Sequence, residues 1–214
     1  LDSWSIVGNI SNQLQGIATT ELNGKIYLIG GKTLSGQQEL NRVDIFDPIT
    51  YSFSQGTPTP IPIQQASVVT YNGKIYLVGG HSNGNSNRIF EYDPNVDSWT
   101  EKSPMPTLRR SPKALVYNSK IWVLGGVGGT LAGGSQLSVV ESYDPKSDTW
   151  STEASLNTQR GWGLAWLQNN RLFAAGGRNS GNQYLDSVES ETSLISTNEE
   201  NINKFTTHVE IHPS

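Results

Sequence analysis

Short apolar runs recur along the chain, and each lies between the same two signals. Each opens with an asparagine and a small or polar residue, continues through largely apolar positions, and stops at a pair of glycines. The four runs are Asn23–Gly31, Asn72–Gly80, Asn118–Gly126 and Asn169–Gly177. An Asn-Gly pair favours a tight hairpin because both turn residues must adopt φ > 0. Apolar positions barely alternate with polar ones, which predicts strands buried on both faces.

An aromatic residue precedes the first glycine of every pair by 26 residues. These residues are Trp4, Phe53, Trp99 and Trp150. From the glycine pair to the next aromatic residue, the separation instead varies between 20 and 25 residues. An Asp-Pro pair, at Pro48, Pro94 and Pro145, precedes each of the last three aromatic residues by five positions. Asp-Pro followed by polar residues is typical of turns.

Each unit therefore predicts four antiparallel strands, which we name A to D. In the second unit, strand A covers 67–71, strand B covers 74–78, strand C covers 88–92, and strand D carries Trp99. Four-stranded units repeating every 46 to 51 residues are typical of β-propeller blades. We expect an all-β domain over residues 1–192, with blades at 16–57, 64–103, 111–153 and 161–190.

The combination of Gly79-Gly80, Tyr92-Asp93-Pro94 and Trp99, followed by Met105-Pro106 and Arg109, resembles the kelch repeat. The resemblance covers residues 1–190 and rests on an ensemble that recurs four times. It implies a β-propeller in which the glycine pair, the tyrosine and the tryptophan hold adjacent blades together.

The two ends of the chain predict how the propeller closes. Leu1-Asp2-Ser3-Trp4 matches Val96-Asp97-Ser98-Trp99, so residues 1–7 look like a strand D without a blade of its own. The fourth unit lacks this strand, because Glu191-Thr192-Ser193 replaces Tyr-Asp-Pro. We expect the N-terminal strand to close blade 4, which removes exposed sheet edges. Residues 193–214 form a polar tail or an added strand.

Two alternatives remain for the number of blades, because kelch propellers usually have more than four. The chain closes as a four-bladed ring, or it belongs to a larger ring completed by further sequence or by a second chain. The second alternative implies self-association.

Strand alternation places the B–C and D–A loops at one end of the propeller, which we call the loop face. Variable loops on a rigid scaffold usually carry recognition. At the loop face, eight cationic residues stand against four acidic ones: Lys32, Arg42, Arg88, Lys102, Arg109, Arg110, Arg160 and Arg178 against Glu39, Glu101, Glu153 and Asp186. This excess favours an acidic partner. The alternative is that the repeat itself places Asp in one turn and Arg before strand A.

The residue 14 positions before each glycine pair is expected to begin strand A at the mouth of the central channel. These residues, which we call the rim, are Gly16, Gln65, Ser111 and Trp162. Trp162 stands between two glycines and suits a ligand platform, since Trp and Arg are favoured at interfaces; alternatively it plugs a narrow channel. The predicted partner-binding residues are Trp162, Arg160, Arg109, Arg110, Gln65, Ser111, His81 and Arg178.

Composition narrows the chemistry. The chain has no cysteine and three histidines, and no nucleophile elbow is present, so we expect no catalytic residue, metal or cofactor. A net charge of −4 argues against nucleic acid as a partner. No apolar run has the roughly 20 residues of a membrane span. The sequence begins at Leu1 rather than Met, and an extracellular or periplasmic location is the expectation.

These patterns predict a non-catalytic module that binds a protein or peptide partner through the loop face. A carbohydrate-binding or sugar-modifying protein similar to sialic-acid epimerases is the first alternative, since arginines at a channel mouth suit an anionic sugar. The second is a structural repeat domain of a larger surface protein. Fold alone does not choose among them.

Overall fold

A computed structural model describes residues 3–10, 14–35, 37–129 and 134–191. The predicted all-β class is confirmed, with four antiparallel sheets arranged as the blades of a propeller. No helix in these ranges is long and apolar enough to cross a membrane. The predicted tail at 193–214 lies outside the described residues.

Each sheet is built from strands that are neighbours in the chain. Blade 1 contains β2 (Ala18–Leu22), β3 (Lys25–Ile29), β5 (Val43–Asp47) and β6 (Ser52–Gln55). Blade 2 contains β7 (Ser67–Tyr71), β8 (Lys74–Val78), β9 (Ile89–Asp93) and β10 (Ser98–Lys102). Blade 3 contains β11 (Lys113–Tyr117), β12 (Lys120–Leu124), β13 (Val140–Asp144) and β14 (Thr149–Thr152). Blade 4 contains β15 (Leu164–Gln168), β16 (Arg171–Ala175) and β17 (Val188–Ser190), while β1 (Leu14–Gln15) and β4 (Lys32–Thr33) form a separate ribbon.

The A–B hairpins form as their turn residues predict. Asn72 and Gly73 have φ values of 49° and 70°, so the second hairpin turns through two left-handed residues. In blade 4 the same turn is made by Asn169 and Asn170, at 49° and 56°. Asparagine tolerates this conformation better than most residues, which explains the turn without a glycine.

The glycine pairs lie where the backbones of adjacent blades touch. A Cβ atom on Gly79 would stand 2.7 Å from the carbonyl oxygen of Arg109, at the start of blade 3. The N–H of Gly80 donates to that same oxygen at 2.9 Å. A side chain at the first position would therefore push blades 2 and 3 apart.

A second set of bonds joins the outer strands of neighbouring blades. The indole N–H of Trp99 donates to the carbonyl of Thr57 in blade 1 at 2.9 Å. Asp97 accepts the N–H of Thr57 at 2.9 Å and the hydroxyl of Tyr92 at 2.6 Å. The seam between blades 2 and 3 repeats these contacts with Trp150, Asp148, Tyr143 and Ser103. The turn residue Asp and the strand D Trp thus hold the preceding blade.

The hydrophobic core lies in the seams between blades. Tyr27 and Ile29 of blade 1 pack with Ile75 and Phe90 of blade 2, and Tyr76 and Val78 pack in the same way against blade 3. The cluster between blades 3 and 4 is smaller, and contains Leu124, Val140 and Ala174. Each blade therefore depends on its neighbours for burial.

The predicted closure of blade 4 by the N-terminal strand is not found. Residues 3–10 contain no strand, and within the described chain β17 pairs only with β16. Trp4 is fully exposed, and Gly8 lies against the ring of Phe53 in blade 1. The inner strands contact one another from blade 1 to blade 4, but β15 and β2 share no comparable contact. Within the described residues, the N-terminal segment contacts blade 1 and does not pair with β17.

Buried ion pairs brace blades 3 and 4 from within. The guanidinium of Arg109 is fully buried, binds the carboxylate of Glu141, and donates to the carbonyls of Gly125 and Val139 at 3.1 and 3.0 Å. In blade 4, Arg160 binds Glu189 in the same way. In blade 2, Ile63 holds the position of Arg109 and Phe90 holds the position of Glu141, and both are buried. One structural position therefore accepts either an ion pair or an apolar pair.

Removing one partner of the blade 3 pair is expected to cost more than replacing both. Arg109→Ala leaves Glu141 buried and unpaired, which destabilises the fold by about 3–5 kcal/mol. Arg109→Ile combined with Glu141→Phe installs the blade 2 pair and should be about 1–3 kcal/mol more stable than Arg109→Ile alone. Urea unfolding of the four proteins of this double-mutant cycle measures the coupling. Additive losses would contradict the pairing.

Acid is expected to weaken the seams through Asp97 and Asp148. The Tyr92 hydroxyl and the Thr57 N–H hold the pKa of Asp97 below its ordinary value of 3.8. Burial raises the pKa of Asp148, but the Tyr143 hydroxyl and the Ser103 N–H lower it on balance. A carboxyl group whose pKa is lower in the folded chain binds fewer protons there than in the unfolded chain. Its contribution is present above about pH 4 and is lost as pH falls through the folded value.

Stability against urea should therefore fall as pH drops from 5 to 3. The fall should be smaller for Asp97→Asn/Asp148→Asn, because an amide has no such titration and its oxygen still accepts hydrogen bonds. The exposed Asp186→Asn serves as the control and should follow the unmodified chain. Parallel pH profiles for all three proteins would exclude these two carboxylates as the cause.

Candidate functional site

At the loop face, the D–A loop that leads into a blade pairs with the B–C loop of that blade. The residue after each glycine pair bridges to the residue just before the rim, as in His81 with Gln64, Val127 with Arg110 and Arg178 with Gly161. In blade 1, Lys32 pairs with Gln15 in the β1–β4 ribbon. The loop face is therefore a set of short backbone ladders that surround the rim.

The rim residues share one backbone conformation. Gly16, Gln65, Ser111 and Trp162 have φ values of 67°, 54°, 49° and 56°. The N–H of Gln65 donates to the carbonyl of Gly16, and the N–H of Ser111 donates to the carbonyl of Gln65, each at 2.8 Å. Gln65 and Ser111, both predicted for partner binding, are half-buried and tied into this chain of bonds.

The chain of bonds stops at Trp162. Within the described residues, its N–H makes no bond to the carbonyl of Ser111, although the other rim residues are joined in this way. The side chain of Trp162 is 43% exposed. That exposure does not fit a plug packed inside a narrow channel. A bulky residue in the left-handed region is unusual and costs free energy, so the surrounding structure holds Trp162 in a strained, accessible position.

The B–C loop of blade 4 carries a second exposed aromatic residue with an arginine. The guanidinium of Arg178 stands over the ring of Tyr184 at 5.2 Å, and Tyr184 is 83% exposed. Arg178 is bridged through its backbone to Gly161, the neighbour of Trp162, with N–H to oxygen distances of 3.0 Å in both directions. Sequence reasoning predicted Arg178 and missed Tyr184. Tyr184 is brought near the rim by its backbone bridge to Arg178, which the sequence does not indicate.

His81 takes part in a contact between the loops of blades 1 and 2. The carboxylate of Glu39 accepts hydrogen bonds from Gln64 at 2.9 Å and from the N–H of Asn83 at 3.2 Å, and it contacts Nδ1 of His81. Burial raises the pKa of Glu39, but these hydrogen bonds and the nearby imidazole outweigh it and lower the pKa below its ordinary value. In the sequence Glu39 contributes only to the charge balance, and its role as a clamp depends on tertiary structure.

Arg110 joins the loops of blades 2 and 3. Its guanidinium donates to the side-chain oxygen of Asn85 at 3.0 Å, and the amide of Asn85 donates to the carbonyl of Val127 at 2.9 Å. Arg110 stays half-buried at the loop face. Together with the Glu39 contact, this bond makes the loops of blades 1 to 3 one connected surface.

Arg109 and Arg160, both predicted to bind a partner, are not surface residues. Arg109 is fully buried and Arg160 is 3% exposed, each paired with a glutamate of its own blade. Their guanidinium groups point into the seams, where the carbonyl oxygens of the glycine-pair strands accept their hydrogen bonds. The predictions for these two residues are therefore wrong.

The predicted excess of positive charge at the loop face is largely neutralised. Arg42 contacts Asp44, Arg88 contacts Glu101, and the two buried arginines contact Glu141 and Glu189. Three of these carboxylates lie in strand C, outside the loops whose charges give the excess. The loop-face cations that have no carboxylate against them in the described residues are Lys32, Arg110 and Arg178.

No cluster of three or more metal-ligating side chains occurs in the described parts of the chain. The loop-face residues around Trp162 offer an aromatic platform, a cation and free peptide groups. Such a set recognises a ligand by stacking, charge and hydrogen bonding.

The chain is similar to known repeat proteins over most of its length. A family model described as the KLHDC2/KLHL20/DRC7 Kelch-repeats domain matches residues 16–213. Beta-scruin of Limulus polyphemus is 31% identical over 87 residues, which is 38% of this chain and 10% of that protein. The matched part thus spans about a tenth of the length of this curated relative.

A solved structure titled "Structure of YjhT" superposes with a TM-score of 0.61 at 15% identity, and the match covers 83% of this chain and 81% of that one. At this identity the likeness shows the fold alone. The family model covers most of the chain, and the blades make their contacts through the glycine pair, the tyrosine and the tryptophan that carried the resemblance. The chain therefore belongs to the family of kelch-repeat domains.

Proposed function

We propose that this chain is a non-catalytic binding module that recognises a protein or peptide through its loop face, with Trp162 as the anchor. Kelch-repeat propellers are generally protein-interaction modules. The observation that carries the proposal is the conformation of Trp162, which is left-handed, 43% exposed and unbonded to the rim residue before it. Strained residues held by their surroundings concentrate at functional sites.

The neighbours of Trp162 supply the rest of a peptide site. Arg178 and Tyr184 add a cation and a second exposed aromatic ring. The N–H of Trp162 and the carbonyl of Ser111, which have no hydrogen-bond partner in the described part of the chain, are free to pair with the main chain of a ligand. Tryptophan, tyrosine and arginine are the residues that most often dominate binding energy at interfaces.

The proposed partner is acidic near its point of contact. Of the arginines predicted to bind a partner, Arg110 and Arg178 remain at the loop face without a carboxylate against them in the described residues. Their attraction for an acidic peptide should weaken with salt, because exposed charges are screened.

Selection of a displayed random-peptide library on the immobilised chain tests this proposal. Selected peptides should be rich in Asp and Glu and should lose at least tenfold in affinity for Trp162→Ala, which is about 1.4 kcal/mol. Tyr51→Ala is the matched control, because Tyr51 is an exposed aromatic residue in a C–D turn at the opposite end of the propeller. Peptides that bind Trp162→Ala as well as the unmodified chain would contradict the role of Trp162.

The alternatives have their own outcomes in the same experiment. A saturable signal on a glycan array that Trp162→Ala abolishes, with no peptide selected, would replace the peptide by a carbohydrate. Failure of both screens would favour a structural repeat domain within a larger protein.

Trp162→Gly is expected to remove binding without lowering the melting temperature. Glycine adopts φ > 0 without steric cost, which gains up to about 1 kcal/mol and offsets the loss of packing by a half-exposed indole. A fall of the melting temperature by several degrees would show that Trp162 is a packing residue instead. Differential scanning calorimetry measures the difference.

A further inference from the structure

The three seams between blades share one backbone contact. The second glycine of each pair donates its N–H to the residue that enters the next blade, as in Gly31 to Ile63 at 2.8 Å and Gly80 to Arg109 at 2.9 Å. Gly126 donates to Arg160 at 2.9 Å in the same way. The preceding glycine leaves no room for a Cβ, because the same carbonyl approaches it.

Blade 4 and blade 1 each carry one half of a further seam of this kind, and in the single chain these two halves are not in contact. On blade 4, the N–H of Gly177 has no acceptor in the described chain, and a Cβ on Gly176 would meet nothing closer than 3.8 Å. On blade 1, Leu14 holds the position of Ile63 and Arg109, and within the described residues no glycine donates to its carbonyl. The donor and acceptor of one further contact are thus both available.

The apolar side chains at the two ends are exposed where their counterparts are buried. On blade 4, Val188 is 61% exposed, whereas its equivalents Val43 and Ile89 are 1% and 0% exposed. On blade 1, Ile26 is 37% exposed, whereas its equivalent Ile75 is 0% exposed. Each end therefore carries the apolar surface of a seam without the neighbour that would cover it.

Blade 4, as far as the structure describes it, also lacks the strand that carries the tryptophan in blades 2 and 3. A cavity of about 310 Å³ lies at the outer side of the seam between blades 3 and 4, lined by Trp122, Ala154, Leu172 and Glu191 among others. Ala154 and Glu191 match Ser103 and Tyr143, which contact Trp150 in blade 3. An apolar cavity of about 150 Å³ already admits benzene, so this one has room for an indole. One carboxylate oxygen of Glu191 is buried there without a partner in the described residues.

A segment that matches strand D lies at the other end of the same chain. Trp4 is fully exposed, and its segment lies against blade 1 where a preceding blade would place its D–A loop. Gly8, four residues after Trp4, packs on Phe53 of blade 1. The residues at the same position in blades 1 and 2, Thr57 and Ser103, contact the tryptophan of the next blade in the same way. The N-terminal segment therefore lies against blade 1 as the outer strand of a preceding blade would.

We propose that two copies of this chain associate head to tail, with residues 3–10 and blade 1 of one copy completing blade 4 of the other. The segment around Trp4 adds the fourth strand to β17, Trp4 enters the cavity, and Gly177 donates to Leu14 of the other copy. A second copy fits because a segment that matches strand D, the carbonyl of Leu14 and the exposed apolar surface of blade 1 all occur together on an identical chain. Two such contacts related by a two-fold axis close a ring of eight blades, within the typical range of four to eight.

Disulfide trapping tests the pairing directly, because the chain has no cysteine. The register of β13 with β14 pairs Ser142 with Ser151, and it aligns Ser190 with Ser5 in the added strand. Paired strand residues have Cα atoms about 4.5–5.5 Å apart, within the range that a disulfide spans. A mixture of Ser5→Cys and Ser190→Cys proteins should form a mixed disulfide under mild oxidation. Either protein alone should not, because the two copies in its ring carry one cysteine each and these two cysteines lie far apart.

Ser98→Cys mixed with Ser190→Cys is the matched control, since Ser98 is an exposed serine in an outer strand away from both ends. Equal disulfide yields in the two mixtures would overturn the proposal. So would a doubly substituted Ser5→Cys/Ser190→Cys protein that closes its disulfide within one chain, because that result places the strand in cis.

Molar mass in solution provides an independent test. Light scattering should give twice the chain mass of 23.4 kDa. The equivalent of Leu164 in blade 2, Ser67, accepts a hydrogen bond from the N–H of Ala114 in the next blade, so Leu164 faces the unfilled seam. Leu164→Lys should return the protein to one chain mass at micromolar concentration without unfolding it, because Leu164 is 64% exposed in the single chain. Val96→Lys, at an exposed apolar residue of a C–D turn, should remain a dimer. A monomer for the unmodified chain, or any stoichiometry other than two, would overturn the proposal.

Discussion

The backbone contact at the glycine pairs is the constraint on which the rest of the structure depends. At each seam a peptide carbonyl of one blade approaches the glycines of the blade before it so closely that no side chain fits between them. This contact sets the distance between blades, and the apolar strands then fill the space on either side of it. A blade cannot bury its own core, so the stability of the propeller lies in its seams.

The loop face follows from the same geometry. Because the residue before each rim position is bridged to the residue after a glycine pair, the loops begin from fixed points on a rigid frame. Glu39, Asn85 and Arg110 then join neighbouring loops across the seams of blades 1 to 3. Among the described residues, no such side-chain link joins the loops of blade 3 to those of blade 4, where Trp162 and Tyr184 are exposed. The proposed binding site therefore lies at the blade whose loops are not linked to the neighbouring loops in this way.

The same lack of a neighbour explains the features at both ends of the propeller. Val188 and Ile26 are apolar residues whose counterparts in the other blades are buried, and Trp4 is fully exposed where Trp99 and Trp150 are half-buried. Surface of this kind marks an interaction site in a folded protein. The proposed recognition at the rim and the proposed pairing of two chains use different residues, so a variant in one need not affect the other.

The sequence by itself determined the fold class, the strand order and the positions of the hairpins, because these depend on local signals that recur at a constant spacing. Asn-Gly turns, glycine pairs and strand D aromatics each act within one unit or its nearest neighbour. Tertiary structure alone decided the fate of the arginines and of the N-terminal strand. Arg109 and Arg110 are adjacent in sequence, yet Arg109 is buried against Glu141 at the residue whose carbonyl meets Gly80 in the seam, whereas Arg110 bridges Val127 in the loop ladder and lies at the loop face. Whether Trp4 reaches blade 4 depends on how far four blades curve around the axis, which is a property of the packed seams and not of any local pattern.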